Sequence, residues 1–304
     1  MRKAWIKSAT WIIAAIGAWG IGTAVNAVFN QTEVNWLVSI YRQKKALSEQ
    51  IQAPRRILLV GGSATHFGVN AAQIEQNLKM PVVNLGLHAG LGLDAICAIA
   101  KEQVRPGDLV VLLPEYRILA NPDGDHNKVM TQLFGIQIGD YQIGESDPKQ
   151  QVNKALLIGS LGINSTIQLL QPRSTGQSGY STELSARGDA LKLPTGKVRI
   201  DQVDEKVSAY SFQQLKAFRQ QVEAKGGRLV FGLPWRFAQA DSNSKAIAQA
   251  VVDTLAQIAP VIYDRRSLNL KTDPQLFGDT PYHLSNQGRL LRSREMTQQL
   301  KPLL

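Results

Sequence analysis

Arg56-Ile57-Leu58-Leu59-Val60-Gly61-Gly62-Ser63 decides the fold. A short apolar run that closes on a glycine pair reads as a buried parallel strand feeding a tight turn. Working outward, Ala71 to Leu78 reads as a helix with Asn70 as its N-cap. Pro81 to Leu85 is a second strand ending near Gly86, and Leu93 to Gln103 a second helix. Pro106-Gly107-Asp108 is a turn into a third strand, Leu109 to Leu113, which ends at Pro114-Glu115-Tyr116. Strands that alternate with helices predict a parallel sheet covered on both faces.

The rhythm lapses from about 120 to 207, a polar stretch rich in Gln, Ser and Gly. It carries the turn signal Asn121-Pro122-Asp123-Gly124, a helix near Asn153 to Leu161 and a loop at Ser174 to Gly179. It reads as an insertion. The alternation then returns. Ser211 to Lys225 is a helix stopped by Gly226-Gly227, Arg228 to Leu233 a strand, and Ser244 to Ile258 a helix. Val261 to Tyr263 is a short strand, and Asn286 to Leu300 the last helix. The expectation is one α/β domain over 55–304, a three-layer αβα sandwich. Its site belongs in the crevice beyond the carboxyl ends of the strands.

Ahead of this domain, Arg2, Lys3 and Lys7 precede an uncharged stretch from Trp11 to Phe29. At roughly 1.5 Å per residue such a helix crosses about one hydrocarbon core. Residues 1–30 are therefore a membrane anchor or a signal peptide, Val25-Asn26-Ala27 resembling a cleavage site. The length favours the uncleaved anchor, and the flanking charge places the domain outside the cytoplasm. Residues 31–54 read as a polar, helix-prone connector, a solvated stalk with Trp36, Ile40 and Leu47 as one weak apolar face. In it Arg42, Lys44 and Lys45 lie close enough to the membrane to meet anionic lipid.

The 304 residues carry a formal net charge of +10, spread along the chain. No zinc-finger spacing or RNP-like motif accompanies it, which argues against nucleic acid as a partner. Cys97, the one cysteine, lies in an apolar run and reads as a small core residue, so no intramolecular disulfide is expected. No His and carboxylate cluster has metal spacing, and no metal or cofactor is expected.

Two segments carry chemistry. Gly61-Gly62-Ser63-Ala64-Thr65-His66-Phe67-Gly68 follows the first strand directly. The glycine pair lets the chain turn and leaves the hydroxyl exposed, and the following helix points free N–H groups at an anion. A nucleophilic serine and a phosphate cradle both fit; the Walker and dinucleotide patterns do not. The second segment is Asp279-Thr280-Pro281-Tyr282-His283-Leu284-Ser285-Asn286-Gln287-Gly288, before the last helix. A serine needs a base, commonly a His oriented by a carboxylate, and one short loop supplies both.

Together these blocks resemble the SGNH (GDSL-like) hydrolase superfamily. Its fold opens on a strand ending in a Gly-x-Ser turn and closes on an Asp-x-x-His-Leu-x-x-x-Gly loop. Val82-Val83-Asn84-Leu85-Gly86 is similar to the family's second block. The resemblance covers about 56–116 and 225–304. It implies a flavodoxin-like parallel sheet, Ser63 as nucleophile, Gly86 as an oxyanion donor beside the Ser63 N–H, His283 as general base and Asp279 as its orienting acid. Two departures stand out. The family's acid lies three residues before the His, where this chain has Thr280, and its third block, Gly-x-Asn-Asp, is replaced by Leu113-Pro114-Glu115-Tyr116. Glu115, Tyr116, Arg117 or His88 is left to replace the missing Asn. His66 and His126 read as surface residues, and Trp235 as either a core aromatic or a sugar platform.

Anchored members of the superfamily include alginate-type polysaccharide O-acetyltransferases and the D-alanyl transfer proteins of teichoic-acid synthesis. The resemblance implies acyl transfer through Ser63 to a cell-surface glycan, with a multi-spanning membrane acyltransferase as donor partner. An esterase using the same residues, and a non-catalytic glycan-binding or scaffolding domain, are the competing expectations.

Overall fold

A computed structural model describes residues 2–124, 127–140, 143 and 180–304; for residues 2–6 and 26–32 it describes the backbone alone. The chain opens on α1 (Arg2–Gln50), followed by β1 (Ile57–Gly61), α2 (Ser63–Gly68), α3 (Ala71–Leu78) and β2 (Val82–Asn84). Next come α4 (Gly92–Gln103), β3 (Leu109–Leu113), α5 (Tyr116–Ala120), α6 (Lys128–Ile138) and α7 (Ala209–Ala224). The chain closes through β4 (Arg228–Gly232), β5 (Arg236–Phe237), α8 (Ser242–Ala256), β6 (Val261–Ile262), β7 (Leu270–Lys271) and α9 (Asn286–Leu300). The helix expected near 153–161, the loop at 174–179 and His126 lie outside the described residues.

Five strands form one parallel sheet in the order β2-β1-β3-β4-β6. β1 lies inside the sheet between β2 and β3, with Leu59 beside Asn84 and Gly61 beside Leu113. Its continuous apolar run follows from burial of both faces. Leu58 and Val60 enter one core with Leu37 and Ile40 of α1, Ile96 of α4 and Phe218 of α7. Ile57 and Leu59 enter another, with Ile74 of α3 and Met296 and Leu300 of α9. The two-residue period of a strand sorts them. The expected strands thus stand, each within about a residue or two of its expected ends, and the chain is a mixed α/β protein. β5 and β7, paired in a separate two-stranded sheet, were not expected; two-residue strands carry no readable periodicity.

The connector is the main correction. No proline interrupts the chain before Pro54, and α1 runs without a break from the apolar N-terminal stretch into the domain. Val34, Trp36, Leu37, Val38, Ile40 and Tyr41 are all buried, so this half of α1 is a core helix and not a solvated stalk. The apolar positions recur every three to four residues along it. Of the basic residues here, Lys44 is closed off from any lipid surface. Lys44 is buried, Lys45 pairs with Glu49 at 2.8 Å, and Arg42 donates to the Gln137 carbonyl at 2.8 Å. Arg56, fully buried, ties the end of α1 to the sheet. It bonds both oxygens of Asp108 at 3.0 and 2.7 Å and donates to the carbonyls of Ser48 and Gln103.

Residues 7–25 of α1 are long and apolar enough to cross a membrane, and Trp11, Ile13 and Ile16 stand exposed there. This segment fits a membrane anchor or a signal sequence.

Candidate functional site

The carboxyl ends of β1, β2 and β3 meet at α2. Ser63 is the first residue of α2 and is 8% exposed. The turn before it admits no side chain: a Cβ on Gly62 would lie 2.4 Å from the Glu115 carboxylate. Gly86, beyond β2, packs as closely, since a Cβ there would lie 2.4 Å from the His66 nitrogen. Gly86 is therefore required by backbone approach, and Gly62 by the seat of the Glu115 carboxyl.

The 278–283 loop packs against α2 at Phe67. Asp279 Oδ1 is 2.7 Å from His283 Nδ1, and the other oxygen, Oδ2, accepts the Tyr180 hydroxyl at 2.8 Å. Burial opposes ionisation of Asp279, but the bonds from His283 and Tyr180 outweigh it and hold the carboxyl below its ordinary range. With Nδ1 facing a carboxylate, the neutral tautomer of His283 carries its proton on Nδ1 and offers Nε2 as the acceptor. Thr280, at the family's acid position, has another task. Its hydroxyl accepts the His283 N–H at 3.1 Å and closes the turn, while Gly278 donates to the His283 carbonyl at 2.7 Å. The extra residue lets Asp279 reach the imidazole from one position earlier.

Phe67 brings the two halves together. It lies one helical turn after Ser63, on the same face of α2. Its ring centroid is 4.7 Å from that of His283. Tyr180 stands 5.8 Å from His283 and 5.0 Å from Phe67, and Trp36 of α1 packs on Phe67, His66, His88 and Tyr180. No hydrogen bond joins Ser63 to His283 among the described residues; the contact between the two segments is that of Phe67 with the His283 ring.

The oxyanion side differs from what the resemblance implies. Glu115, 2% exposed, accepts the Ala64 N–H at 2.8 Å and the Gly62 N–H at 3.3 Å. Burial raises its pKa above the ordinary value, and these N–H bonds only partly offset that. Gly86 donates its N–H to Asn84 Oδ1 at 2.9 Å. Two groups expected to face an oxyanion are thus engaged within the protein.

The other candidates are placed elsewhere. His88 accepts the Gly90 N–H on Nδ1 and faces Glu33 with Nε2 at 3.1 Å, so neither nitrogen is left to replace the missing Asn. Tyr116 is buried with its ring 5.0 Å from the Arg236 guanidinium, and Arg117 is exposed. Trp235 is buried under Lys271 and donates to Glu295, which removes it as a sugar platform. His66 is fully buried and not a surface residue. Burial first, then the charge of Lys44, pushes its pKa well down, and neither ring nitrogen has a hydrogen-bond partner among the described residues. Cys97 is a buried free thiol. Among the described residues no group of three His, Cys, Asp or Glu is placed to hold a metal ion.

Tyr180 and Trp36 escape a reading of the sequence. Tyr180 follows a polar stretch with nothing to mark it, and Trp36 sits 27 positions before the serine it helps to wall. No protein-family model matches this chain, and no curated protein matches it significantly.

Proposed function

We propose that this chain is a membrane-tethered serine acyltransferase built on an SGNH-type αβα sandwich, acting outside the cytoplasm on a cell-surface polysaccharide. The observation that carries this reading is the Asp279–His283 pair, 2.7 Å apart, in a loop packed on the helix that begins at Ser63. In the first half-reaction Ser63 Oγ attacks the acyl carbonyl and its proton passes to His283 Nε2. The donor's leaving group departs with that proton and an acyl-Ser63 ester remains. A sugar hydroxyl then gives its proton to His283 and attacks the ester, and Ser63 recovers the proton as it leaves. Asp279 holds the imidazole and stabilises its cation throughout. With residues 7–25 as an uncleaved anchor, the donor is an acyl carrier at the membrane, such as a multi-spanning acyltransferase.

One observation favours a second reading, a non-catalytic glycan-binding or scaffolding domain. The Glu115 carboxyl occupies the N–H groups of the Ser63 turn. An ionised carboxylate there opposes an oxyanion.

The full chain in detergent, treated with a fluorophosphonate and with p-nitrophenyl acetate, separates the readings. Labelling at Ser63 that is lost in Ser63→Ala and His283→Ala supports the transferase. A folded protein without labelling supports the binding domain. Release of free acid without transfer to any offered glycan identifies an esterase.

A further inference from the structure

Lys44 of α1 is 1% exposed, with its ammonium inside the domain. It donates to the main-chain oxygen of Asn84 at 2.9 Å and to Asn84 Oδ1 at 3.3 Å. The same Oδ1 accepts the Gly86 N–H. Asn84 Nδ2 donates to the Thr65 carbonyl in α2 and to Asp189 Oδ1, each at 3.1 Å. Asp189 in turn caps α3 through the Ala71 N–H at 2.9 Å. The chemistry of the partners fixes the amide: two donors face the oxygen, and two acceptors face the nitrogen. One buried side chain therefore joins the α1 helix, the Ser63 helix, the Gly86 loop and the 185–190 segment. The cation belongs to α1, which also carries the membrane-length stretch 7–25.

We infer that Lys44 is a positioning residue for the candidate acyl-transfer site, holding the Asn84 amide so that the anchor helix, the Gly86 loop and the Ser63 helix keep one registration. This rests on the reading of Ser63 as nucleophile. An unpaired amide rotates; one gripped by a buried ammonium on one side and a carboxylate on the other does not. Movement of α1 against the domain reaches the Gly86 N–H through this hydrogen-bonded link, alongside the packing of Trp36 on His66 and His88.

The test uses the full chain in detergent, with Lys44→Met, Lys44→Gln, Asn84→Ala and the Lys44→Met/Asn84→Ala double variant. Fluorophosphonate labelling of Ser63 is timed, and hydrogen–deuterium exchange is followed over residues 84–88. Lys44→Met is expected to slow labelling roughly tenfold, the scale of one lost charge-assisted hydrogen bond, and to speed exchange over 84–88. Lys44→Gln, which keeps a donor, restores part of both. Because Lys44 acts through Asn84, the double variant is no slower than Asn84→Ala. Wild-type labelling in Lys44→Met, or effects that add in the double variant, overturns the inference. If the wild type does not label, the Ser63 reading fails and the exchange readout decides the Lys44 link: unchanged exchange in both folded Lys44 variants sinks it. If Lys44→Met does not fold, Lys44→Gln set against Asn84→Ala carries the same comparison.

Discussion

His283 receives its carboxylate from Asp279, four residues earlier, while Thr280 in between binds the His283 main-chain N–H. Thr280 stands where the SGNH pattern has its acid, and Asp279, one residue earlier, supplies the carboxylate. Tyr180 completes the arrangement from a distant part of the chain.

Asp279→Asn removes the acceptor that fixes the Nδ1–H tautomer. Its fluorophosphonate labelling rate is expected to fall on the order of 10²–10⁴-fold, as for a comparable Asp in serine hydrolases. Tyr180→Phe removes one hydrogen bond from a hydroxyl to the Asp279 carboxylate and costs about tenfold. Equal losses in the two variants, or none in Asp279→Asn, would show that His283 is oriented by something else.

Glu115→Gln removes the ionisable carboxyl beside the Ser63 turn while the amide oxygen still accepts the Ala64 N–H. Ester turnover is expected to rise by roughly tenfold or more, below the 10²–10³ associated with a full oxyanion donor. Stability supplies a second readout. The Glu115 pKa is raised in the folded protein, first by burial, so the native state holds a proton that the unfolded chain has released. Its favourable contribution is present at acid pH and is lost as pH rises from the ordinary carboxyl range through the raised folded value. Urea denaturation of Glu115→Gln across that window should lack this fall.

Lys44 works in the opposite sense. Burial lowers its pKa to about 7, against a smaller raising effect from Asp189. Between about 7 and the ordinary lysine range the unfolded chain binds the extra proton, so stability rises with pH there, by at most ~1.4 kcal/mol per unit. His66, buried and kept neutral, adds no charge to this window. Lys44→Met should flatten the rise; an equal slope in wild type and variant would assign it to other groups.

Deletion of residues 1–25 is expected to leave a folded, water-soluble domain, whereas deletion of 1–50 removes Val34, Trp36, Leu37 and Ile40 from the core and prevents folding. Trp36→Ala in the full chain should cost about 3–5 kcal/mol. Circular dichroism melts of the two truncations are the check. A cooperative melt for the chain lacking 1–50 would return α1 to the role of a stalk.

The sequence by itself determined the parallel sheet, the helices that cover it and the placement of Gly61-Gly62-Ser63, Gly86 and His283 around the strand ends. These are local matters. The run Ile57 to Val60 has the length and composition of a doubly buried strand, Asn70 caps α3 through the Gln73 N–H, and Ser285 caps α9 through the Gly288 N–H. Each is fixed by residues a few positions apart. Only the tertiary structure decided that the second half of α1 is core, that Glu115 sits on the N–H groups of the Ser63 turn, that Tyr180 bonds Asp279, and that Lys44 reaches Asn84. Those contacts join residues 40 to 99 positions apart. A buried lysine and an exposed one look alike along a chain. Their difference comes from desolvation and from the partner that offsets it, and both are supplied by the packed fold.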